Sequence, residues 1–349
     1  MVAPLDWGLG HATRCVPVIR SLLAGGFEVI LAAEKSGALL LQKEFPALTI
    51  LPLRGYNIRY SKNKHLFFFK MILQVPKILS IIRSERIWLK TVIKKHEIDI
   101  VISDNRFGLS NKKAHCIFIT HQLFIKTGNR VTEKIAQQIN YRYINNFNGC
   151  WVPDEAGENN LAGELSHPQK MPLIPVRYIG AISRFKKGIT EINTDLLVLL
   201  SGPEPQRTFF ENTLLAQIKR DNKKTVVVRG IPGTAGKLPG ETENLTVIDH
   251  LPAEDLNKLI LSAKTIVAGS GYSTVMDLAV LQQKAILVPT PGQAEQEYLG
   301  QYLSGKKYCV VHAREGFDLQ KAIQDLQSED LVPFPQTGSN LLHHAVNAL

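Results

Sequence analysis

The stretch Ile266–Leu299, IVAGSGYSTVMDLAVLQQKAILVPTPGQAEQEYL, decides the fold. Thr265–Ala268 is a short apolar run of the kind that forms a buried strand. Gly269-Ser270-Gly271 breaks it. Ser273–Val280 follows, with Val275, Leu278 and Ala279 at helical spacing, and Ala285–Pro289 is a second apolar strand. Strand, glycine turn, helix and strand make a βαβ unit. The turn holds Gly271, and the first helical turn holds Ser273 and Thr274. Backbone N–H groups and a helix N-terminus therefore converge there, and both favour the negative charge of a phosphate. Asp277 stands one turn into the helix, where a carboxylate can accept two ribose hydroxyls. The next loop, Thr290–Glu297, carries Gln293, Glu295, Gln296 and Glu297, polar groups suited to sugar hydroxyls. Any α/β domain has glycine turns between strand and helix, so the turn alone leaves a purely structural role open.

Length and composition bound the rest. A chain of 349 residues predicts two domains, each with its own core. Hydrophobic content of 44% and charged content of 21% are globular values. Cys15, Cys116, Cys150 and Cys309 are far apart and form no CxxC pair, so they read as buried thiols in a reducing compartment. No signal peptide is visible, and no apolar run approaches the roughly 20 residues that span a bilayer. Charge is uneven. Residues 1–188 hold 27 Lys and Arg against 13 Asp and Glu, and residues 189–349 hold 14 against 18. The basic half predicts an anionic partner, with nucleic acid and membrane both open from charge alone.

The alternation of strands and helices continues in both directions from the opening stretch. Val2–Leu5 reads as a first strand that starts almost at the initiator, which suggests a trimmed N-terminus. Trp7-Gly8-Leu9-Gly10-His11 is a glycine turn, and His11–Ala24 a helix ending at Gly25-Gly26. Gly8 and Gly10 either make the turn alone or leave room for an acceptor. His11 either caps the helix or faces a substrate. Phe27–Ala33, Leu48–Leu53, Ile98–Ser103, Cys116–Thr120 and Cys150–Val152 read as strands, and Ser36–Phe45 and Val131–Phe147 as helices. In an open parallel sheet, residues after the carboxyl ends of strands face the ligand crevice, which puts His11, Asp104 and His121 on one rim.

Arg54–Lys95 holds eleven Lys or Arg and one acid, Glu85, among Leu66-Phe67-Phe68-Phe69, Met71-Ile72-Leu73 and Ile87-Trp88-Leu89. A basic amphipathic element of this kind lies either on an anionic membrane surface or on a core with its basic face in water. Pro76 is expected to kink or divide its helix.

A second alternating series runs through Leu196–Leu200, Thr225–Arg229, Leu245–Ile248, Thr265–Ala268, Ala285–Val288 and Tyr308–Val311. Ser201-Gly202-Pro203 follows its first strand as a second phosphate-side loop. His250 follows the third and is a candidate to meet a base. The expected division is an N-terminal domain over residues 1–182, a polar linker over 183–194 and a C-terminal domain over 195–338. A final helix over 339–349 is expected to cross back to the first domain. The sequence has no DxD, Walker A, zinc-ligand spacing, GxSxG or RNA-binding motif.

SGYSTVMDLA followed by VPTPGQAEQEYL resembles the donor-binding region of GT-B glycosyltransferases, most of all the MurG group of family 28, and the glycine loop ending at His11 resembles the N-terminal loop of the same enzymes. The resemblance implies two doubly wound Rossmann-like domains facing a cleft. It implies a nucleotide-sugar donor, UDP-linked, in the C-terminal domain and a lipid-linked or saccharide acceptor in the N-terminal one. Ser201, Ser273 and Thr274 would meet the diphosphate, Asp277 the ribose, Gln296 and Glu297 the sugar, and His11 the reacting hydroxyl. Transfer with inversion then needs a general base, His11 or else Asp104, which could instead orient the histidine, and no metal or cofactor. The implied location is cytoplasmic, peripheral on the inner face of the membrane.

The chain departs from the pattern at Gly269, where some relatives carry arginine, and in the proline-rich loop Ser201-Gly202-Pro203-Glu204-Pro205. Two other readings fit the same architecture, a UDP-GlcNAc 2-epimerase and a non-catalytic nucleotide-sugar sensor. A nucleic-acid binder is disfavoured, because the basic stretch is too apolar and carries no recognised module.

Overall fold

The computed structural model describes residues 1–58, 67–202, 204–219, 222–231, 243–336, 338 and 340–349, and for residues 67–72 the backbone alone. These residues form two compact units. The first runs to Ser183 and takes back the C-terminal residues, and the second runs from Arg184 to Gln336.

The first unit alternates β1 (Val2–Pro4), α1 (Leu9–Ala24), β2 (Leu31–Ala33), α2 (Lys35–Glu44), β3 (Ile50–Pro52), α3 (Phe67–His96), β4 (Ile100–Asp104), β5 (His115–Ile119), α4 (Arg130–Ile144), β6 (Gly149–Val152) and β7 (Val176–Tyr178). Its seven strands lie in the order β3-β2-β1-β4-β5-β6-β7, and all neighbours are parallel. Helices cover both faces of such a sheet, so its strands read as apolar runs rather than alternating patterns. Val101, Ile102, Cys116, Phe118 and Cys150 are accordingly buried at full depth. The strand order reverses between β1 and β4, which is where ligands bind in open α/β sheets.

The short strand β7 was not expected from sequence. It is an edge strand of three residues, and only its pairing with β6 distinguishes it from loop. Pro76 does not divide its helix: α3 runs unbroken from Phe67 to His96. The proline is exposed to solvent, where its ring and the backbone carbonyl it leaves unbonded are tolerated. The charged stretch before α3, with Lys62 and Lys64, lies outside the described residues, as do the side chains of Phe67–Ile72.

The second unit alternates β8 (Thr194–Leu199), α5 (Gln206–Ile218), β9 (Thr225–Val228), β10 (Leu245–Ile248), α6 (Ala253–Leu261), β11 (Ala263–Ala268), α7 (Tyr272–Leu281), β12 (Ile286–Leu287), α8 (Ala294–Gly305), β13 (Val310–Val311) and α9 (Leu319–Ser328). Its six parallel strands lie in the order β10-β9-β8-β11-β12-β13. The reversal here falls between β8 and β11, and the Gly269-Ser270-Gly271 turn follows β11. Val275, Met276, Leu278, Ala279 and Leu281 bury one broad face of α7. A last short helix, α10 (Leu341–Val346), belongs to the first unit. It packs on α1 and buries Ala345 and Val346.

Candidate functional site

In the first unit the loop after β1 is pinned at one end by Asp6. Its carboxylate accepts from Tyr56 N (2.8 Å) and Asn57 N (3.0 Å), tying the loops after β1 and β3 together. Gly8 then adopts φ +86, a left-handed conformation that favours glycine, and serves as the N-cap of α1. No side chain caps this helix. His11 lies inside the first turn of α1, so the capping role left open by the sequence is not the one it takes.

His11, Asp104 and His121, which the sequence placed on one rim, are brought into direct contact. His11 Nδ1 lies 3.0 Å from Asp104 Oδ2. The residue that joins all three is Arg14, one helical turn after His11. Its Nε donates to Asp104 Oδ1 (3.0 Å) and Oδ2 (2.9 Å), and its Nη2 also reaches Oδ1. The same Nη2 lies 2.9 Å from His11 Nδ1, and Nη1 donates to His121 Nδ1 at 3.1 Å. Arg14 was not singled out from sequence. Its spacing of three from His11 puts both on one helix face, but its principal partner is 90 residues away.

Burial differs sharply within this cluster. Asp104 is completely buried, whereas His11 keeps 16% of its side chain exposed. His121 is buried, at 5% exposure. Burial pushes the Asp104 carboxyl up, but the Arg14 guanidinium and then His11 outweigh it and hold it at about 2. For His11, burial lowers the pKa, Asp104 raises it, Arg14 lowers it again, and the net shift is downward. Its downward causes are burial first and the Arg14 cation after it. Cys15 points its thiol at Asp104 Oδ2 (3.7 Å), and burial pushes that thiol well above its usual range. Of the two roles the sequence leaves open for Asp104, base or orienter of His11, the geometry fits the second. A fully buried carboxylate saturated by a guanidinium and an imidazole cannot meet an acceptor hydroxyl.

In the second unit the loops after β8, β11 and β12 converge. A Cβ added at Gly269 would lie 3.2 Å from Ser201 Oγ, and one at Gly202 3.8 Å from Thr290 Oγ1. Gly202 itself has φ +99. Gly271 is the N-cap of α7, and Val275 N makes its helical bond to Gly271 O (3.1 Å). Ser273 and Thr274 occupy the first turn, which contains no acidic residue, and Asp277 follows one turn in, half-buried. The positive end of α7 thus faces the switch point, with Ser201 on its other side.

Gln296 does not present its amide as the sequence suggested. Its Oε1 accepts from Thr290 N (2.9 Å), its Nε2 donates to Gln293 Oε1 (2.7 Å), and its carbonyl accepts from Ser270 Oγ (2.8 Å). At 9% exposure it ties the loop after β12 to the loop after β11. Glu297 remains exposed while one oxygen accepts from Gly292 N (2.9 Å), which shapes the same loop. His250 follows β10, the edge strand, and β9 and β8 separate it from the start of α7. Its neighbour Asp249 is paired with Arg229 (2.7 Å), which also pairs with Glu211 of α5 (2.6 Å). The sequence also missed Arg314, three residues beyond β13. It donates to Thr290 Oγ1 (3.0 Å) and Gln206 O (3.2 Å) and lies over the Phe210 ring at 4.6 Å.

Residues 210–348 match the glycosyltransferase family 28 C-terminal domain. No curated protein sequence matches the chain. Among solved structures it resembles MurG of Acinetobacter baumannii (14% identity, TM-score 0.54, 100% of this chain and 97% of that one). It also resembles the spinosyn rhamnosyltransferase SpnG complexed with thymidine diphosphate (14% identity, TM-score 0.60, 99% and 94%). A third likeness is to a putative UDP-N-acetylglucosamine 2-epimerase of Listeria monocytogenes (14% identity, TM-score 0.62, 99% and 94%). At such identities the likeness is one of fold.

Proposed function

Starting from a chain of GT-B fold that carries a glycosyltransferase family 28 C-terminal domain over residues 210–348, we propose that it moves a sugar from a UDP-sugar to a hydroxyl of a lipid-linked or saccharide acceptor, with inversion and without a metal ion or cofactor. The sugar is N-acetylglucosamine or another hexose. The observation that carries this reading is the arrangement from Gly271 to Asp277, an α-helix start at the switch point of the family 28 domain with a carboxylate one turn in. The diphosphate lies against Ser201, Gly202, Gly271, Ser273 and Thr274, where helix-end amides take up charge as it leaves. Asp277 accepts from the ribose, and Glu297 is the exposed acid nearest the sugar-side loop.

In the first unit, Gly8 and Gly10 leave space beside His11 for the acceptor. With His11 Nδ1 turned to Asp104, Nε2 is the ring nitrogen that takes the acceptor proton. The acceptor oxygen bonds to the anomeric carbon as the bond to the diphosphate breaks, and the diphosphate oxygen keeps the electron pair. Screening UDP-, dTDP- and GDP-sugars for hydrolysis and transfer tests the reading. UDP-sugar turnover is expected. No turnover of any of them with any lipid or saccharide acceptor, despite UDP binding, would leave a nucleotide-sugar sensor. The likeness to an epimerase favours one further reading, and the manno epimer formed from UDP-GlcNAc alone would select it.

Asp277→Ala should weaken UDP binding by about 1.5–3 kcal/mol, the scale of a charge-assisted hydrogen bond. Its melting temperature should stay unchanged, because Asp277 is on the half-exposed side of α7. Equal UDP affinity of variant and wild type in calorimetry would remove the ribose assignment.

The lipid-linked acceptor is supported by α3. Among its described side chains Leu73, Val75, Leu79 and Ile87 are exposed, alongside Lys77, Arg83, Lys90 and Lys94. Its one acid, Glu85, is buried. This basic, apolar face suits the anionic surface of a membrane from the cytoplasmic side. No helix among the described residues is long and apolar enough to cross a membrane. Reversing Arg83, Lys90 and Lys94 to Glu removes about 3 kcal/mol of attraction at about 1 kcal/mol per basic residue, roughly a hundredfold in partitioning onto anionic vesicles. Cosedimentation that is indifferent to salt and to these substitutions would count against the surface.

A further inference from the structure

We propose that Arg14 is the positioning residue of this site: one guanidinium, touching His11, Asp104 and His121 together, sets the ring orientation and tautomer of both histidines. The proposal rests on the reading of His11 as the base, and it concerns how that base is held ready.

A guanidinium has five N–H donors in a planar fork and no acceptor. Arg14 uses that fork on three different elements. The Asp104 carboxylate ends β4, His121 follows β5, and His11 shares its own helix α1. Because Arg14 can only donate, the Nδ1 of His121 must carry a lone pair, and neutral His121 keeps its proton on Nε2. Two neighbours compete for the Nδ1 of His11, Asp104 Oδ2 at 3.0 Å and Arg14 Nη2 at 2.9 Å. A ring nitrogen either donates or accepts, so one of the two contacts decides the tautomer. The ionised carboxylate is the stronger acceptor, while Arg14 Nη2 is already committed to Asp104. His11 therefore carries its proton on Nδ1 and leaves Nε2 open.

Arg14 supports that state twice. It keeps Asp104 ionised, which holds the Nδ1–H, and its charge opposes protonation of the ring. The groups facing His11 are Arg14 from its own helix, Asp104 from β4 and His121 from beyond β5, with the Cys15 thiol on the same Oδ2 of Asp104 that meets His11. A lysine places one charge at this position but has no fork to span both histidines.

The test uses nitrogen-15 imidazole spectra of the intact chain, without donor or acceptor, beside its pH–rate profile. In wild type, His121 should show a lone pair at Nδ1 and His11 a protonated Nδ1, with His11 titrating below the ordinary histidine range. Arg14→Gln should move the His11 midpoint upward and carry the acid limb of kcat with it, leaving the KM for donor unchanged. Arg14→Lys preserves the buried charge and therefore the fold. It should release His121 into a mixture of tautomers and cut kcat about tenfold or more. Unchanged shifts of both histidines in folded Arg14→Lys would overturn the proposal, as would an unmoved His11 midpoint in folded Arg14→Gln. An inactive wild type with the described imidazole pattern would instead sink the transfer reaction and leave the positioning role of Arg14 intact.

Discussion

Asparagine in place of His11 is expected to reduce turnover by roughly 10²–10⁴-fold, the range lost when a general base is removed. Asparagine can still form a hydrogen bond with Asp104, so the buried carboxylate keeps a partner and the fold is retained. What it cannot do is take a proton. Donor affinity should barely change, because the loops proposed to hold the nucleotide belong to the second unit. The pH dependence follows from the downward shift of His11. Its neutral, competent form is present above the lowered pKa and is lost as pH falls through it. Wild-type kcat/KM should therefore hold through neutrality and fall only below the ordinary histidine range. Near-normal turnover of His11→Asn with a confirmed acceptor would dismiss His11. Asp104 would not succeed it, since it is completely buried, and His121 Nε2 would be the next nitrogen to examine.

Arg106→Met is expected to cause the largest loss of stability. Arg106 sits two residues after Asp104 and is wholly buried. Its Nε donates to Glu85 Oε1 of α3 at 2.7 Å, and its other nitrogens reach the carbonyls of Pro4 and Arg54. Glu85 also accepts from Tyr56 OH (2.9 Å) and Gly108 N (3.0 Å). One ion pair thus joins the end of β1 and the loops after β3 and β4 to α3. Methionine fills the volume but strands a buried carboxylate, which costs about 3–5 kcal/mol. For a unit of this size that is a drop of roughly 6–20 °C in its melting transition, measurable by calorimetry. The accompanying Glu85→Gln in a double variant should recover part of the loss, because the stranded charge is then removed. A melting temperature within about 2 °C of wild type for Arg106→Met would show that the pair contributes little.

Local pattern alone determined much of this protein. Apolar runs, glycine turns and helical spacing marked the two alternating series of strands and helices, because each signal comes from residues within one element. The rule that strand ends face the crevice places His11, Asp104 and His121 on one rim from sequence alone. The tertiary structure decided which of those residues does what. Between base and orienter, the roles left open for Asp104, the geometry favours the orienter because Arg14, 90 positions away, closes over the carboxylate. Gln296 became a brace between loops because Thr290 and Gln293 face it across the turn. Glu85 read as the one acid in a basic stretch, and packing made it the buried partner of Arg106. Strand β7 also lay beyond local signals. Each of these depends on contacts distant in sequence, where burial and a specific partner set a side chain's charge and direction, and no periodicity encodes the partner.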